Sequence, residues 1–127
     1  MIVVITGTRR AVYSRHARRV RSILRWVGGK WPAEVPHVLH HGAAVGIDRI
    51  GATVAQEMGW QVRPHPADWD LGRHAGHERN QLMIDLGPDV CVAFPLKPVD
   101  PGRSGTMDCT RRAIAAGVPT FVFPVDV

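Results

Sequence analysis

The opening stretch MIVVITG is the strongest constraint on what this chain can fold into. It is apolar, largely β-branched and has no polar alternation before Thr6, as expected of a strand covered on both faces. Such strands belong to parallel sheets with helices on either side. The rest of the sequence repeats the theme. HVLHHG, WQVRPHP, DVCVAFP and VPTFVFP read as further strands. Between them lie segments with helical spacing. Ser14 can cap a helix running to about Val27 and ended by Gly28-Gly29, with Ala17, Val20, Ile23, Leu24 and Val27 on its apolar face. AVGIDRIGATVAQEMG supplies a loop and a helix ending at Gly59, HERNQLMIDLG a third helix and SGTMDCTRRAIAAG a fourth. Strands alternating with helices imply right-handed crossovers. The expected fold is α/β, a three-layer Rossmann-like sandwich with a mostly parallel five-stranded sheet. It occupies residues 1–127 as one domain, a length that suits a single core.

In open parallel sheets, ligands lie beyond the carboxyl ends of the strands, where the strand order reverses. The segments that follow the strands are therefore the places to look. Gly7-Thr8-Arg9 follows the first strand and offers a tight turn, a hydrogen-bonding hydroxyl and a cation, or is an ordinary strand-to-helix turn. Gly42 and Gly46 precede Asp48, which can accept from a ribose or a base, or favour the start of its own helix. Asp68 and Trp69 follow the third strand, and Trp69 can stack on a base or close the core's edge. His77, Glu78, Arg79 and Asn80 open the next helix, so Arg79 and Asn80 form a donor-rich pair at a helix N-terminus. Ser104, Gly105 and Thr106 bring backbone amides and hydroxyls to the start of the last helix, a pattern suited to phosphate as well as to plain capping. Neither a GxGxxG fingerprint nor a GxxxxGK[ST] loop occurs, which disfavours an ordinary dinucleotide dehydrogenase or a P-loop ATPase.

Charge and cysteine content narrow the partners. A net charge of +5 permits an anionic partner without identifying it. Arg18, Arg21 and Arg25 form a basic stripe, read as a solvated face in preference to a nucleic-acid contact. Cys91 sits in an apolar strand and Cys109 in a helix, so a disulfide is not expected and a cytoplasmic setting is. The apolar opening is too short to span a membrane and lacks the basic leader of a signal peptide. His40 and His41 are adjacent on a strand and point to opposite faces, while His74 and His77 can share a helix face. No convincing zinc spacing is present, and no metal or other cofactor is expected.

VVITGTRR, HHGAAVGIDRIGATVA, HPADWDLGRHAGHERNQLM and VAFP…GRSGTMDCTRRAIAAGVPT together resemble the SLOG superfamily, in particular its YspA/YpsA-related (DUF2493) branch. The resemblance spans nearly the whole chain. It implies a Rossmann-like fold that binds nucleotides or nucleotide-derived ligands, found often in phage, plasmid and defence contexts. The same superfamily includes LOG-type phosphoribohydrolases, which cleave nucleoside 5′-monophosphates at the N-glycosidic bond. GHERN is similar to their arginine motif, placing Arg79 at the functional arginine and Asn80 at a usual lysine. PGRSGTMDC matches their PGGxGTxxE loop in part, with Arg103 at a glycine and Cys109 at the glutamate. A thiol is a poor substitute for a carboxylate beside an oxocarbenium-like state. Asp108 is the neighbouring carboxylate, and one residue along a helix turns it by about 100°. The resemblance thus implies holding a nucleotide over cutting it, with Asp108 or Glu78 as unorthodox catalytic partners of Arg79 if it cuts. It also implies a homodimer and, less strongly, binding of single-stranded DNA in the manner of DprA.

Overall fold

The computed structural model describes residues 1–100, 102 and 104–127. The chain runs β1 (Ile2–Gly7), α1 (Tyr13–Gly28), β2 (Val38–His41), α2 (Ile47–Glu57), β3 (Gln61–Pro64), a short 3-10 turn (Trp69–Leu71), α3 (Ala75–Asp85), β4 (Val90–Phe94), α4 (Gly105–Ala115) and β5 (Thr120–Val122). The strands form one sheet in the order β3-β2-β1-β4-β5, and every pairing is parallel. The expected α/β architecture is the observed one.

Strand periodicity explains the layers. Val3 and Ile5 point to one face and join Val92 and Phe94 under α1 and α2, through Val20, Leu24, Ile47 and Val54. Val4 points to the other face and meets Cys91, Met83, Ile84, Cys109 and Ala113 beneath α3 and α4. The central strands are covered on both sides, which is why β1 and β4 are continuous apolar runs. The edge strands β3 and β5 are more exposed and more polar.

Two helix starts differ from expectation. The N-cap of α1 is Val12, and Ser14 lies inside the helix. The capping work falls to His16, whose Nδ1 accepts from the Val12 N–H at 3.0 Å. That leaves Nε2 protonated, to donate to the carbonyl of Asp126 at 2.7 Å, tying the helix start to the end of the chain. Helix α3 begins at Ala75 with His74 as its N-cap, not at His77. Gly72, at φ 102, turns the chain out of the 3-10 segment early enough to add residues to the helix. Arg79 and Asn80 therefore lie in its second turn, where no free backbone amides accompany them.

A candidate ligand cavity at the strand crossover

The order β3-β2-β1-β4-β5 reverses between β1 and β4, and a cavity of about 390 Å³ opens at the carboxyl ends of these strands. It is bordered by Gly7, Thr8 and Arg9 after β1, and by Gly42, Ala44 and Asp48 after β2. Arg79 and Asn80 of α3, and Ser104, Gly105 and Thr106 at the start of α4, complete its polar wall. Residues scattered through the sequence thus share one wall.

Close backbone approaches shape the β1 and β2 loops. The Ile47 N–H donates to the Thr8 carbonyl at 3.1 Å, so the start of α2 leans on the loop after β1. Gly46 makes this possible, because its φ is +83 and a Cβ there would lie 2.3 Å from the same carbonyl oxygen. Asp48 is 6% exposed, and its Oδ2 accepts from the amides of Gly42 at 3.0 Å and Ala44 at 3.2 Å. Between them, the Ala43 amide donates to His41 Nδ1 at 2.9 Å, with Ala43 in the left-handed region at φ 59. Three successive amides of a concave loop are thereby satisfied by the chain itself.

Arg79 is a strut as well as a wall. Its Nη1 donates to the carbonyls of Gly42 and, at 3.1 Å, His65, while Nε donates to Asn80 Oδ1 at 2.9 Å. A Cβ on Gly42 would lie 2.4 Å from that guanidinium, so the glycine leaves room for the arginine. Burial, before any other influence, lowers the Arg79 pKa, and Asp48 opposes this. Burial also pushes the Asp48 carboxyl up to about 6, against the Ala44 amide, Arg79 and the Gly42 amide. His41 is held neutral, its pKa lowered to about 4 by burial and by the charges of His65, Arg79 and His40. On the opposite side of β2, His40 Nδ1 meets His65 Nε2 at 2.7 Å.

The start of α4 shows the helix capping that the sequence offered beside a phosphate site. Ser104 is the N-cap, its Oγ accepting from the Met107 N–H at 3.1 Å. The amides of Gly105 and Thr106 precede the first intrahelical bonds, and nothing lies within 4 Å of a Cβ built on Gly105. Arg103, aligned with a glycine of the phosphoribohydrolase loop, lies outside the described residues.

Several sequence-selected residues are elsewhere. Asp108 does not border the cavity. It is 7% exposed and accepts from Arg112 Nε at 2.9 Å and Asn80 Nδ2 at 3.0 Å. Burial pushes its carboxyl up, but the bonds from Arg112 and Asn80 outweigh this and hold it below the usual carboxylate range. Asp108 thus touches the cavity only through Asn80. Cys109 is fully buried in the core beneath α4. Glu78 is exposed and also off the cavity wall. Asp68 is used locally, its Oδ1 accepting from the Asp70 N–H at 3.2 Å. Trp69 is 54% exposed, with the Arg9 guanidinium 5.9 Å from its ring centroid and Gly76 against the ring edge. It stands beside a wall residue without being one.

From the segment after β4, sequence reasoning selected only Ser104, Gly105 and Thr106, yet Pro95, Leu96, Lys97, Pro98 and Asp100 also border the cavity. Position alone could have found them, since they follow a central strand at the crossover. With Ile5 and Met83 they give the cavity an apolar surface beside its polar wall.

The β1 to β3 half of the fold, with the loops that border the cavity after β1 and β2, lies in the part of the chain that matches a known family. The family model described as YspA, cpYpsA-related SLOG family matches residues 1–72. The chain belongs to this SLOG family. It is also 45% identical over 93 residues to the Gene 61 protein of Mycobacterium phage D29, covering 68% of this chain and 70% of that relative. The family match ends before α3 and α4. The SLOG assignment therefore rests on the β1 to β3 half, while Arg79 and the Ser104-Gly105-Thr106 loop stand on their geometry. No helix among the described residues is long and apolar enough to cross a membrane.

Proposed function

We propose that this SLOG protein binds or senses a nucleotide or nucleotide-derived ligand in the cavity between β1 and β4. A phosphate would rest on the first turn of α4. The observation that carries the reading is the convergence of Ser104, Gly105 and Thr106, at a helix start, with Arg9 on one cavity at the strand crossover. The apolar side formed by Ile5, Met83, Pro95, Leu96 and Pro98 suits a base.

The test is a thermal-shift screen with nucleoside mono-, di- and triphosphates, cyclic nucleotides, NAD and ADP-ribose, with each hit re-examined by chromatography. A ligand that stabilises the protein and returns unchanged supports holding. Absence of any shift across the panel would sink the reading. Return of free base and sugar phosphate would favour the alternative, hydrolysis of a nucleoside 5′-monophosphate. That alternative draws less support, because Cys109 is in the core and Asp108 is bound to Arg112 away from the cavity. Binding of single-stranded DNA ranks third. In the α1 stripe, Arg21 is already paired with Glu57 and bonded to Tyr13, as a structural surface residue would be. A cytoplasmic homodimer remains a proposal from family resemblance, and sedimentation of the purified protein tests the dimer.

A further inference from the structure

The phosphate reading leaves Asp48 unexplained. Capping of the loop after β2 uses its Oδ2 alone, through Gly42 and Ala44. Among the described residues no group donates to Oδ1. The one buried side-chain atom without a partner there is His37 Nδ1, so Oδ1 is not sealed inside protein. Asp48 is nearly buried and borders the cavity, which is the open space that its unsealed Oδ1 can reach. An ionised carboxylate oxygen only accepts, so what completes it is a donor. Arg79 and Arg9 already place positive charge around this carboxylate, which favours a neutral donor over a cationic one.

We propose that Asp48 determines ligand specificity, its Oδ1 accepting a hydrogen bond from a neutral donor of the bound nucleotide, a ribose hydroxyl or the exocyclic amine of the base. The proposal rests on the nucleotide reading and adds what that ligand must present on the β2–α2 side of the cavity. The two sources share one chemistry, and matched analogues separate them.

Asp48→Asn reverses the group on offer. The position of Oδ2 faces two backbone N–H groups, so asparagine must place its oxygen there. Its NH₂ is then turned to the cavity, where a donor on the ligand meets a donor on the protein. The experiment titrates AMP, 2′-deoxy-AMP, 3′-deoxy-AMP and IMP into wild type and Asp48→Asn by calorimetry, with circular dichroism to confirm folding. The wild type is expected to bind AMP about 10–100-fold more tightly than the analogue lacking the matching donor, the range for a hydrogen bond to a charged group. Weakening of a deoxy analogue identifies a ribose hydroxyl. Weakening of IMP identifies the amine, and Asp48→Asn should then prefer IMP, whose oxygen accepts. Equal binding of all four by the wild type overturns the proposal, and does so even where Asp48→Asn fails to fold. Unchanged affinities in a folded Asp48→Asn also overturn it and leave nucleotide binding standing. If none of the four binds the wild type, the proposal is overturned, while the nucleotide reading stands or falls separately on the wider thermal-shift panel.

Discussion

Burial raises the Asp48 carboxyl from 3.8 to about 6 and lowers the neighbouring His41 from 6.5 to about 4. The two shifts have opposite consequences. Asp48 holds its proton more tightly in the fold, so its contribution is most favourable below the unfolded pKa and is lost as pH rises through about 6. Keeping it ionised above that pH costs about 3 kcal/mol. His41 resists protonation in the fold, so its contribution is intact above 6.5 and is lost, by about 3 kcal/mol, as pH falls towards 4. Urea unfolding of Asp48→Asn should therefore show a gain over wild type at pH 8 of up to about 3 kcal/mol, shrinking towards pH 4. Its stability should fall more steeply with acid than that of wild type, because His41 is no longer opposed. A variant no more stable than wild type at pH 8 would contradict this. A carboxylate kept at such a cost beside a cavity fits a functional role better than a structural one. The glycines around Asp48 drew attention to it in the sequence. The neutral state of His41 was not legible, since it depends on burial in the fold and on charges from α3 and beyond β3.

Helix α4 separates what the fold needs from what a ligand would need. Ser104 caps it, so Ser104→Ala should cost about 1 kcal/mol in a thermal or urea melt. A methyl group added at Gly105 would meet no protein atom within 4 Å, yet the residue borders the cavity. Gly105→Ala should therefore leave stability unchanged or slightly improved while weakening ligand binding, which paired melts with and without the ligand found by screening would show. A large loss of stability would mean that the glycine serves the backbone instead. Gly46 is the contrary case, with a positive φ and the Thr8 carbonyl against it. Gly46→Ala should cost about 2 kcal/mol or more, read in the same melts. The SGT pattern identified this helix start from sequence, because capping is local. The start of α3 was misplaced, because its early turn depends on Gly72 and the preceding 3-10 segment.

For the molecule as a whole, Cys109 shows how the two layers constrain the chemistry. The phosphoribohydrolase resemblance aligns a glutamate there, but the side chain is fully buried among Val4, Met83, Ile84, Cys91 and Ala113. Cys109→Glu would bury an uncompensated carboxylate and should destabilise the fold by about 4 kcal/mol or more, observable as a collapsed melting transition. A well-folded Cys109→Glu protein that cleaves AMP would instead revive hydrolysis. The sequence by itself determined the elements, their order and the end of the sheet where glycines and polar groups gather. Those properties follow from periodicity and turn chemistry, which act between near neighbours. Only the tertiary structure decided the use of each side chain at that end. It turned Asp108 towards Arg112, made Arg79 a strut between the β2 and β3 ends, and brought the β4–α4 loop and Asp48 onto the cavity. Side-chain direction and burial are set by the parallel order of strands far apart in the chain, and that order brings the loops together before any ligand arrives.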